Sequence, residues 1–179
     1  ERYLAAARRA ADWSVRQALV VNWNYNAFSA GMLAQVAQAT GDAGYLAAAA
    51  GKAAIGVLPG QLPGGRWYDP HNASAVYHNI LLRDLLSVFD ALPAGHPRRE
   101  GIRDALVRGL DQAAAETIAN GSTGIWTESF ARGLMILGET PAWRDALNIS
   151  VNAALAGRGP GLGFASVPVL ELAAKDLSN

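Results

Sequence analysis

The chain of 179 residues contains no cysteine. That absence excludes a disulfide framework, a thiolate nucleophile, a zinc finger and an iron–sulfur site, and it leaves the redox compartment unassigned. An excess of charge is missing too, since 15 Lys and Arg offset 15 Asp and Glu for a formal net charge of +0. Without a long-range field, neither nucleic acid nor an acidic membrane is an expected partner. No apolar run reaches the ~18 residues that a membrane-spanning helix needs, so no membrane insertion is expected. Strand-like alternation of apolar and polar residues is also absent.

Several chemistries fail for want of spacing. No His or acidic residues stand at a ligand spacing such as His-x-x-x-His, and there is no Asp-rich calcium loop, so no metal is expected. The stretches Gly60 to Gly65 and Gly157 to Gly163 fit neither a phosphate loop nor a dinucleotide fingerprint. They read as turns, and no cofactor is expected. Ser14, Ser29, Ser74 and Ser129 lack the Gly-x-Ser-x-Gly elbow of a serine hydrolase.

What is present is helix-forming sequence with enough apolar side chain, 51% of residues, to fill a core. Alanine is abundant. Apolar residues recur at three- and four-residue spacing in Tyr3-Leu4-Ala7-Ala11, Phe28-Met32-Leu33-Val36, Ile80-Leu81-Leu85-Val88 and Ile102-Leu106-Leu110. Gly and Pro breakers cut the chain into about eight helices, near 2–20, 25–39, 42–57, 73–92, 97–119, 127–138, 141–156 and 166–177.

Two kinds of connection separate them. Short turns at Thr40-Gly41-Asp42, Pro93 to Pro97 and Gly138 to Pro141 force antiparallel neighbours. Longer Gly-rich loops end in an aromatic residue, giving marks at Trp23, Trp67, Trp126 and Phe164. The marks are unevenly spaced, which argues against a regular solenoid and for hairpins set around an axis. The expectation is an all-α chain, residues 1–179 forming one αα-hairpin domain arranged as an incomplete α/α toroid. The helices that follow the marks would form an inner layer, all starting at the same end.

That end gathers Asn22-Trp23-Asn24-Tyr25-Asn26, Trp67-Tyr68-Asp69-Pro70-His71-Asn72 and Trp126-Thr127-Glu128. Trp23, Tyr25, Trp67, Tyr68 and Trp126 could stack on the C–H faces of sugars, with Asn24 and Arg83 engaging hydroxyls or a carboxylate. The alternative is that the tryptophans plug hairpins and the acids cap helices. Asp69 and Glu128 each stand two residues beyond an aromatic mark, so they would occupy corresponding places. A pair of carboxylates on one cleft supplies the acid and the base or nucleophile of glycoside hydrolysis. A second constellation, His71 and Tyr77 with Asn24 and Arg83, has the groups a polysaccharide lyase uses on uronic acids. His78 reads as a core histidine and His96 as a solvated one.

The run Trp23-Asn24-Tyr25-Asn26 followed by Ala34 to Ala49, with Thr40-Gly41-Asp42 and Tyr45-Leu46, resembles the "W-x-Y-N … A-x-x-T-G-D-x-x-Y-L-x-x-A" hairpin of α/α-toroid carbohydrate-active enzymes. Family 76 glycoside hydrolases, the endo-α-mannanase type, are the most similar, and Tyr77 to Leu85 looks like another inner helix of such a toroid. The resemblance implies a toroid acting on an oligosaccharide or polysaccharide. It departs at the catalytic centre, for the family's adjacent Asp-Asp pair occurs nowhere in this sequence. Gly65-Arg66-Trp67 through His71 to Tyr77 is similar in layout to a segment of chondroitin-lyase-type toroids.

A full toroid has about twelve helices, so eight leave an open arc whose end helices, 2–20 and 166–177, call for a second copy, a further part of the chain, or use as a cleft. A non-catalytic scaffold or partner-binding subunit is the third functional class. The N-glycosylation patterns at Asn72, Asn120 and Asn148 favour a secreted or extracytoplasmic location.

Overall fold

The computed structural model describes residues 2–67, 74–122, 125–138, 140–158 and 166–176. Among them the chain is all-helical: α1 Arg2–Arg16, α2 Trp23–Thr40, α3 Ala43–Gly56, α4 Ala75–Ala91, α5 Arg99–Asn120, α6 Thr127–Leu137, α7 Pro141–Leu155 and α8 Ser166–Asp176. A 3-10 turn at Leu58–Gly60 follows α3. The described residues hold no strand, only an isolated antiparallel bridge between Gln61 and Trp67.

The chain divides into two compact units, with the division inside α5. One comprises residues 1–62 and 67–105, the other 63–66 and 106–179.

In the first unit, directions follow from who touches whom. Gly31 packs on Asp84, Gln35 donates to Ser87 Oγ at 3.3 Å and Gln38 to Asp90 Oδ2 at 3.2 Å. The numbers rise together, so α2 and α4 run parallel. Tyr45 donates to Asp12 and Lys52 to the carbonyl of Gln17, which makes α1 parallel to α3. Helix α3 lies antiparallel to α2, because the turn between them is only Gly41 and Asp42. Gly41 stops α2 in the left-handed conformation, φ 72°, with its N–H on Ala37 O, while Asp42 caps α3 by accepting from Gly44 N at 2.7 Å. The core between these helices holds Leu33, Val36, Ala49, Ala53, Leu82, Leu85 and Val88.

Helix α1 is shorter than the expected 2–20, and Asn26 supplies the reason. Its side chain accepts from Val20 N at 3.0 Å and donates to Val20 O and to Gly56 O, both at 2.8 Å. Val20's backbone groups are thus spent on α2 and are not free for a helical ladder. Helix α4 ends where Arg99 donates to the carbonyls of Phe89 and Leu92, its guanidinium 3.8 Å from the Phe89 ring centroid.

The second unit repeats the hairpin logic. Trp143 donates its indole N–H to Asp111 at 2.8 Å and Ser150 pairs with Ser122 at 3.0 Å, so α7 runs parallel to the C-terminal part of α5. Gly133 of α6 faces Leu110, where a Cβ would lie 2.8 Å from a leucine methyl. Gly65 is obligatory: its φ is 91°, and a Cβ would stand 2.1 Å from the Arg108 carbonyl oxygen.

Candidate functional site

The groove between α1 and α2 is built from two matching stripes. On α1 and the residue just past its end, Ala10, Trp13, Ser14 and Gln17 stand at i, i+3, i+4 and i+7; on α2, Tyr25, Phe28, Ser29 and Met32 repeat that spacing. The helices touch through their smallest side chains, where the Ser14 and Ser29 hydroxyls share a hydrogen bond of 2.6 Å. Larger neighbours are held apart, and the space between them is about 410 Å³. Trp13 is 61% exposed and Tyr25 58%, so two broad ring faces meet solvent beside it.

Polar groups border the rings. Gln17 turns its amide back to the Trp13 carbonyl at 3.2 Å. Lys52, reaching from α3, lines the groove and donates from Nζ to the Gln17 carbonyl at 2.8 Å. Partial burial lowers its pKa below the usual lysine value. No carboxylate is among the described residues lining the groove. On the other side of the α1–α3 contact, Asp12 accepts from the Tyr45 hydroxyl at 2.5 Å, and this hydrogen bond raises the phenol above its ordinary value of 10.0. With amides, hydroxyls and one ammonium but no acid, this groove can hold a ligand; it has no acid–base pair with which to cleave one.

The residues singled out from the sequence fall in different surroundings. Tyr68, Asp69 and His71 lie outside the described residues. Tyr25 is at the groove as an open ring. Trp23 is half-buried and covers Gly60, where a Cβ would stand 2.4 Å from the indole. At Trp67 and Trp126 the expectation of an open ring face is not met, for they are only 3% and 5% exposed. The Trp67 indole donates to the Val57 carbonyl at 2.8 Å with its ring 5.4 Å from His78, and Trp126 packs against Phe130. Both are plugs.

Asn24 is buried, and Tyr77 is half-buried in the first turn of α4. Arg83 pairs with the buried Asp84 at 3.3 Å and holds its guanidinium 5.5 Å from the centroid of Phe28. Glu128, in the second unit, pairs with Arg132 one turn on at 3.7 Å. His78 is buried as expected; His96, expected to be solvated, accepts from Arg98 N at 3.2 Å and braces its own turn.

The sequence reading passed over Trp13, Phe28 and Lys52. A signal was there for Trp13: it sits between Arg9 and Arg16 on a helix side rich in charge, where a large ring has no core to enter. Among the described residues no group of acids and histidines could hold a metal ion, and no helix is long and apolar enough to cross a membrane. In comparisons with known proteins, no family model, no curated protein and no solved structure matches the chain.

Proposed function

We propose that the chain is a carbohydrate-binding helical protein that takes an oligosaccharide in the α1–α2 groove. The observation that carries this is the pair of open rings, Trp13 and Tyr25, beside a groove edged by hydroxyl and amide groups. Sugars present C–H faces to rings and hydroxyls to planar polar groups, and both are supplied within one groove. The hairpin order of the first unit, parallel α2 and α4 backed by parallel α1 and α3, is in keeping with the inner and outer layers of α/α-toroid carbohydrate-active enzymes. The proposal is for binding: cleavage through Asp69 and Glu128, or through His71 and Tyr77, has no counterpart in this groove.

Titration of the chain with a panel of oligosaccharides, read by tryptophan fluorescence and calorimetry, tests it. Saturable binding that weakens about tenfold or more in Trp13→Ala is the expected result. Absence of binding across neutral and acidic sugars would overturn the reading and leave a scaffold or partner-binding subunit.

A further inference from the structure

Helix α1 carries four arginines and one acid, Asp12. Arg2, Arg9 and Arg16 recur every seventh residue, so they share one stripe, and helical geometry puts that stripe beside Trp13 on the outer lip of the groove. All three are exposed. The three ion pairs among the described residues are Arg66–Glu116, Arg83–Asp84 and Arg132–Glu128, so neither these arginines nor Lys52 is in one. One acid, Asp12, lies a single turn from both Arg9 and Arg16 and offsets part of this charge while it accepts from Tyr45. Lys52 has met only one backbone carbonyl and keeps two further N–H donors. The outer lip of the aromatic groove thus carries an excess of positive charge, and the described residues that line the groove include Lys52 and no acid.

We infer that the ligand is an anionic oligosaccharide, one whose sugars carry carboxylates, with Trp13 and Tyr25 against the rings and Lys52, Arg9 and Arg16 reading the charge. A neutral glycan would leave this border without a partner. The inference rests on the carbohydrate reading and specifies its substrate class. Lys52 is the strongest of the readers: being partly buried, it is screened less by solvent than the arginines on the lip.

The test compares a tetragalacturonate with a neutral tetrasaccharide of equal length by calorimetry, at low and raised salt, on the parent chain, Lys52→Gln and the double variant Arg9→Gln/Arg16→Gln, each checked for helicity by circular dichroism. The expected result is an acidic ligand bound about tenfold more tightly or better, a preference that shrinks with salt and is lost mainly in Lys52→Gln. Equal binding of both ligands overturns the inference and leaves the carbohydrate reading standing; binding of neither overturns that reading and the inference with it. A preference unchanged in both variants would place the charge reader elsewhere and overturn the assignment to this groove. Should Lys52→Gln fail to fold, the salt dependence of the parent chain decides: no dependence overturns the inference.

Discussion

Helix α2 meets α4 and α1 in opposite ways. Toward α4 it is closed, with polar bonds beside the apolar core: Gly31 allows Asp84 to press against the backbone, and Gln35 and Gln38 bond across to Ser87 and Asp90. Toward α1 it is open and aromatic, with Tyr25 and Phe28 standing beside Trp13 around a groove. Rings that ordinarily fill a core stand at the open interface, while the closed one admits a buried carboxylate beside its apolar side chains. The α2–α4 seam fixes position, while the α1–α2 side leaves ring surface open.

The comparison breaks most readily at Gly31. A Cβ there would lie 2.6 Å from Asp84 Oδ1 and 2.8 Å from its Cβ, and the second atom cannot swing away. Gly31→Val should cost about 3 kcal/mol in denaturant unfolding, an overpacking loss at a tight helix contact. A cost under about 1 kcal/mol would mean that the seam is as loose as the groove. Next is Asn26→Ala, which strands Val20 N, Val20 O and Gly56 O; a loss of about 2 kcal/mol is expected by the same measurement. The smallest effect belongs to the open face. Trp13→Ala should leave stability within about 0.5 kcal/mol of the parent while removing ligand binding, since a ring that is 61% exposed contributes little to the core. A large destabilisation there would turn the groove into packing and close the contrast.

The helices were legible because their signals are local: three- and four-residue apolar spacing, and the short turns at Thr40-Gly41-Asp42 and Gly138 to Pro141. The end of α1 was not, because Val20 reads as helix until Asn26, six residues on, takes both its backbone groups. The site was legible only in part for a related reason. Tryptophan in a loop and tryptophan on a helix look alike in sequence, and what separates plug from platform is whether the indole N–H finds a buried carbonyl, as Trp67 does at Val57. Tyr25 kept its place as an open ring, 58% exposed. Asn24 and Asn26, read as neighbours of a sugar, sit in a first turn that faces inward.

The Asn26 clasp also sets a kinetic expectation. Val20 lies outside any helix, on a segment whose side chains are exposed, and its amide hydrogen would ordinarily trade with solvent deuterium within moments. Held by an amide that is itself held by the end of α3, it becomes one of the slow hydrogens of the molecule. Fraying of α1 from its N-terminal end does not by itself release it, so this irregular residue reports the opening of the clasp that ties the α1–α2 connection to the end of α3.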